Sequence, residues 1–171
     1  MNKLGKDSLN TEDLTKYEVV NVEIFYKADD IFSSDAHVAV VDLDKETGFV
    51  KVIEYYAVDD VGKVLNREEV EGQIVGGILQ GVSQVIIEAM RYDERGIPLC
   101  SSIADCGVST VFEAPLKITQ EYVEYPSQLL SGSKGVGKAG TTGALPAVFI
   151  AFEKAAKKKF NITPIDPWIV T

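Results

Sequence analysis

The segment Asn66–Met90, NREEVEGQIVGGILQGVSQVIIEAM, restricts the fold of this chain more than any other. Val70, Ile74, Ile78, Val82 and Ile86 recur every four residues, which predicts one helix with an apolar stripe. Asn66 starts it, and Glu69 three residues later completes a capping box. Gly72, Gly76, Gly77 and Gly81 fall inside that helix, and each costs about 0.5–1 kcal/mol relative to Ala. A second stripe, Gln73, Gly77, Gln80, Gly81 and Gln84, lies on one face. Such a helix is approached closely there. The partner is either a packed strand or a flat polar ligand resting on the glycines, hydrogen-bonded by Gln73 or Gln80.

The rest of the chain reads as strands around this helix. Tyr17–Lys27 alternates apolar and polar residues, a strand with one buried face. Two more strands follow over 36–43 and 49–58, joined by the turn Asp44-Lys45-Glu46-Thr47-Gly48. Arg91-Tyr92-Asp93-Glu94-Arg95-Gly96 turns the chain after the helix, and residues 97–115 mix extended pieces with loop. Leu116–Tyr125 is a further strand, ended by Pro126. A last helix is expected over 144–160, with Pro146 in its first turn. Residues 1–16 read as a loose arm, and 161–171 as a tail anchored by Trp168. The expected fold is α+β in a single unit, a mixed or antiparallel sheet with two main helices on one side.

Composition excludes several classes. A net charge of −9 argues against nucleic acid or an anionic membrane surface as partner. Lys154, Lys157, Lys158 and Lys159 sit near the end of the last helix, where they complement its dipole. No apolar run reaches the roughly 18 residues of a membrane span. The polar N-terminus and the scarcity of cysteines place the chain in the cytoplasm, with Cys100 and Cys106 as free thiols. Their spacing without nearby histidines is not a zinc pattern. His37, the single histidine, reads as a strand residue with a satisfied ring.

The stretch Ser131–Gly140, SGSKGVGKAG, nearly matches a phosphate-binding loop from Gly132 onward. Ala139 stands where such a loop needs a magnesium-binding hydroxyl, and Thr141 and Thr142 come too late. Only 28 residues follow Gly143, too few for the strands that normally continue such a sheet. A nucleotide-binding loop is therefore the weakest of the readings.

Two segments carry a better match: Asp59-Asp60-Val61-Gly62 with Asn66 and Val70–Gly81, and Gly132-Ser133-Lys134-Gly135-Val136-Gly137. In this order, together with Ala36-His37-Val38-Ala39, Tyr92–Gly96 and Ala114-Pro115, they resemble the C-terminal part of the molybdenum-binding large subunit of the xanthine dehydrogenase family. The carbon monoxide dehydrogenase and aldehyde oxidoreductase branch is nearest. The resemblance implies a molybdopterin cofactor, often the cytosine dinucleotide form, with molybdenum. It implies hydroxylation of a carbon, or oxidation of carbon monoxide, with flavin and iron–sulfur partners taking the electrons. It also implies cofactor contacts from Gln73, Gly77, Gln80, Gly135, Val136 and Gly137.

Departures qualify what the resemblance implies. The family loop carries a general-base Glu where this chain has Lys138. A lysine is ordinarily protonated at neutral pH and takes no proton. Arg67 replaces a usual Pro, and Cys106 and Ser109 stand where Tyr and Pro are common. The family subunit is also several times longer, so this chain does not enclose the cofactor alone. The first reading is a cofactor-binding portion that needs the N-terminal remainder of the large subunit. The alternative is a non-catalytic fragment that acts as an interaction module, with an orphaned apolar surface that favours homo-oligomers.

Overall fold

The computed structural model describes residues 23–25 and 30–161. The expected arm, tail and Trp168 lie outside those residues, and so does most of the strand expected over 17–27. The chain divides at Asp30/Ile31 into two units, and the second holds every element below.

Strand β1 (Asp35–Leu43) pairs antiparallel with β2 (Val50–Asp60), with a bulge between Val40 and Val41. Asp44 builds the turn between them. Its carboxylate accepts the N–H groups of Glu46 and Thr47 at 2.7 and 3.0 Å, and Gly48 closes the turn at φ 74°. The Thr47 and Glu46 N–H groups hold the Asp44 carboxyl below its ordinary range. The chain then crosses through helix α1 (Arg67–Ile86) to β3 (Lys117–Val123), which lies parallel to β2. The sheet is therefore mixed, with order β1-β2-β3. Helix α2 (Ala139–Phe160) completes the fold.

Asn66 caps α1 as its sequence requires, its side chain accepting the Glu69 N–H at 3.4 Å. The apolar stripe turns inward. Ile74, Ile78 and Val82 are fully buried with Val52, Tyr55, Ala57, Val61, Ala144 and Val148, while Val70 and Ile86 pack at the margin. Among the described residues no helix is long and apolar enough to cross a membrane.

Several boundaries differ from those expected. Helix α1 stops at Ile86 instead of Met90, because Ser83 captures the chain. Its carbonyl accepts both the Ile87 and Glu88 N–H groups, and its hydroxyl accepts the Ser109 N–H at 2.9 Å. The Ala89 N–H then bonds the Cys106 carbonyl at 2.9 Å. Helix α2 starts five residues before the expected 144, so Pro146 lies inside it and not in the first turn. Packing outweighs the bond that Pro146 removes, since Gly140, Gly143 and Ala144 are buried against the rest of the fold. The glycine loop ends correspondingly early. Strand β2 runs on to Asp60, and β3 is shorter than Leu116–Tyr125.

Cys100 and Cys106 form a disulfide, with Cα atoms 5.2 Å apart, and are not free thiols. The turn over Ser102–Asp105, tied by the Cys106 N–H to the Ser102 carbonyl, brings them together. Two cysteines in isolation carry no sign of this closure, and the thiol argument for a reducing compartment loses its basis.

The glycine stripe of α1 meets a helix, where a strand or a ligand was expected. A Cβ at Gly77 would stand 2.7 Å from the Thr141 backbone nitrogen and 2.9 Å from the Gly140 Cα. One at Gly81 would stand 2.5 Å from the Ala144 Cβ. A Cβ at Gly140 would overlap the Ile74 carbonyl oxygen. Gly72 and Gly76 have nothing within 4 Å of that position. Gly81→Ala should therefore destabilise the fold by about 1–3 kcal/mol. Gly76→Ala should stabilise it by about 0.5–1 kcal/mol. Urea denaturation of the two variants checks this, and equal effects would contradict the helix contact.

Candidate functional site

The segment after β2 and the glycine loop before α2 are laced together. Gly62 adopts φ 62°, and a Cβ there would stand 2.6 Å from the Gly132 carbonyl oxygen. The Lys63 N–H bonds that carbonyl at 2.8 Å, and the Lys134 N–H bonds the Val61 carbonyl at 3.0 Å. Ser127 adds a hydroxyl bond to the Ser133 carbonyl at 2.7 Å. The Asp59-Asp60-Val61-Gly62 motif thus sets where the glycine loop lies.

Asp60 is the charged centre of this junction. One carboxylate oxygen accepts the N–H groups of Gly62 and Tyr125 at 3.0 and 3.3 Å. The other accepts the Lys134 ammonium, whose side chain is 8% exposed. Burial pushes the Asp60 carboxyl up. The Lys134 hydrogen bond and the Gly62 and Tyr125 N–H groups outweigh it and hold the group below its ordinary range. The Lys134 ammonium also sits 5.2 Å above the Tyr125 ring. Sequence reading placed neither Asp60 nor Lys134 in a role, although both fall inside the motifs it singled out. Their pairing spans 74 residues and leaves no local signal.

A groove of about 290 Å³ opens beside this junction, lined among others by Asn66, Glu69, Gln73, Lys134, Val136 and Gly137. Gln73, Val136 and Gly137 therefore come together as the sequence suggested, with Gly135 exposed next to them. Gln80 belongs to a different cluster. Its side-chain oxygen accepts the Thr141 hydroxyl at 3.2 Å and the Lys138 ammonium at 3.5 Å. Lys138 is the N-cap residue of α2 and forms no side-chain cap bond. Gly77 is buried under α2 and lines neither place.

The loop has the properties of an anion cradle. Among the described residues, the N–H groups of Gly135, Val136, Gly137 and Lys138 meet no protein acceptor. Nothing lies within 4 Å of where a Cβ would stand at Gly135 or Gly137. Successive free N–H groups beside a helix N-terminus favour a negatively charged group. Gln73 adds both an acceptor and donors. These residues fit a planar, phosphate-bearing cofactor lying along the groove.

A family described as molybdopterin cofactor-binding domain matches residues 9–115. The chain belongs to this family, found in the large subunits of molybdenum hydroxylases and carbon monoxide dehydrogenases. It is 38% identical over 126 residues to the nicotine 6-hydroxylase large subunit of Paenarthrobacter nicotinovorans, covering 73% of this chain and 15% of that one. It is 32% identical over 130 residues to the carbon monoxide dehydrogenase large chain of Hydrogenophaga pseudoflava, covering 76% of this chain and 16% of that one. Among solved structures, quinoline 2-oxidoreductase from Pseudomonas putida 86 superposes with a TM-score of 0.68. It is 33% identical over 71% of this chain and 16% of its own. A Cu,Mo carbon monoxide dehydrogenase gives a TM-score of 0.69 at 32% identity, over 74% of this chain and 16% of its own. The chain thus spans about a sixth of the relatives it matches. The glycine loop and α2 lie beyond the residues of the family match.

Lys134→Met should destabilise the fold by about 3 kcal/mol or more, because it leaves the Asp60 carboxylate without its cation. Asp60→Asn combined with Lys134→Met should recover part of that loss in chemical denaturation. No recovery in the double variant would show that the two groups act independently.

Proposed function

We propose that this chain forms one wall of a molybdopterin site in a larger molybdenum-dependent oxidoreductase, and that further large-subunit sequence completes the enclosure. The observation that carries this is the groove at which Gln73 and the open Gly135–Lys138 loop meet. The bound cofactor would supply two-electron redox chemistry at molybdenum. The residues of this chain do the rest. The N–H groups of Gly135, Val136 and Gly137 hold the anionic part of the cofactor, and Gln73 orients its polar edge. The Lys134–Asp60 pair keeps the loop in register. Gly77 and Gly81 contribute indirectly, by letting α2 come close enough to present its N-terminus.

The finer parts of this reading rest on the resemblance. The cytosine dinucleotide form, and the flavin and iron–sulfur partners that remove electrons, follow from likeness to carbon monoxide dehydrogenase large chains. Lys138 sits where that family carries its base, and here it donates to Gln80. An ammonium has donors and no acceptor, so it does not take a proton from a reacting group. The chain is accordingly a cofactor-binding element without its own base, and is inactive alone.

A second reading, a non-catalytic interaction module, is favoured by the exposed apolar side chains Val111 and Phe112, 80% and 83% accessible. Both readings expect these residues to be covered, one by the remainder of the subunit and one by another copy. Metal analysis and native mass on the chain from its natural source separate them. Molybdenum together with a larger polypeptide is the expected result. A metal-free monomer or homo-oligomer would overturn the proposal. Gln73→Ala, at an exposed position, should lower retained molybdenum by about tenfold without changing the fold. Lys138→Glu in the complete complex should raise turnover.

A further inference from the structure

Asp35 and Asp59 stand directly opposite each other in the β1–β2 ladder. Like charges so placed destabilise a sheet unless something lies between them. His37, two residues along β1, shares their face. The three residues each offer a ligand atom, and these atoms all lie within 4.8 Å of one another. The His37 and Asp59 side chains are 2% and 1% exposed. The His37 ring contacts the Tyr55 hydroxyl through Nδ1 at 2.8 Å and Asp59 Oδ1 through Nε2 at 3.3 Å. Asp59 Oδ2 is buried and has no hydrogen-bond partner among the described residues. A buried carboxylate oxygen in that state is unfavourable, and a carboxylate pair of this kind calls for a positive charge.

We propose that Asp35, His37 and Asp59 bind a divalent metal ion. The mixed donor set, one imidazole and two carboxylates, suits zinc or manganese. Ligand atoms about 2.1 Å from a central ion lie roughly 3–3.5 Å apart, so small side-chain rotations close the set. The Tyr55 hydroxyl takes the second ring nitrogen, as the partners of metal-bound imidazoles do. Asp35 is exposed and gives the ion a way in. The site has a structural consequence. A Cβ at Gly143 would stand 2.5 Å from the His37 ring, so α2 rests on this imidazole. A bound ion ties β1, β2 and the early turns of α2 to one point. It is separate from the cofactor groove, since neighbouring Asp60 turns to Lys134 instead.

The test uses the full chain, treated with chelator and then titrated with Zn²⁺ or Mn²⁺ by calorimetry, with the thermal midpoint followed in parallel. One ion per chain and a raised midpoint are expected. Asp35→Asn alters an exposed ligand and leaves the fold intact; it should weaken binding by at least about tenfold. Mn²⁺ should broaden the His37 ring signals in the NMR spectrum of the wild type. The proposal fails if no ion binds at millimolar concentration; protons on both His37 ring nitrogens would then show what balances the two carboxylates. It also fails if Asp35→Asn binds as tightly as the wild type.

Discussion

The contact between α1 and α2 is the constraint on which the rest of this fold depends. Gly77 and Gly81 on one helix meet Gly140, Thr141 and Ala144 on the other, at separations that leave no room for a side chain. This approach buries Ile74, Ile78 and Val82 against Ala144 and Val148, and it lays both helices on one sheet face. It also fixes the N-terminus of α2. The glycine loop that leads into α2 therefore has a defined exit, and the Asp60–Lys134 pair gives it a defined entry. Held at both ends, at the entry by its own Lys134 side chain, the loop keeps the N–H groups of Gly135–Lys138 open.

Function follows from that division of labour. Interior glycines make the scaffold, and exposed Gly135 and Gly137 leave space above the loop. Gln73 lines the groove one turn before buried Gly77, so the same helix borders the groove near its start and packs against α2 further along. The same economy holds on β2. Asp59 turns under α2 toward His37, and Asp60 turns to the loop lysine. Two adjacent carboxylates thus hold two different parts of the molecule.

Much of this was legible in the sequence because it is written in local periodicity. The apolar stripe of α1, the Asn66 cap, the Asp44 turn and the antiparallel pair of strands all follow from spacings within a few residues. The satisfied ring of His37 was also foreseen, although its partners Tyr55 and Asp59 were not. What escaped was non-local. The start of α2 at Ala139 depends on α1 pressing against Gly140, and Pro146 misled because its own preference ignores that packing. The Asp60–Lys134 pair and the Cys100–Cys106 closure depend on where distant or looped segments meet. The residues proposed to hold the cofactor were indicated by the resemblance more than by chemistry. An amide and a glycine loop carry no charge signature of their own.

Amide hydrogen exchange on the whole chain tests the central claim most directly. The account predicts the slowest exchange at Ile78, Gly81 and Val82 of α1 and at Ala144 and Val148 of α2, close to the limit set by global unfolding. Gly135, Val136, Gly137 and Lys138 should exchange nearly as fast as free amides, because no acceptor among the described residues shields them. Protected loop amides, or α1 amides that open far below the global limit, would contradict an open cradle held by a close-packed helix pair.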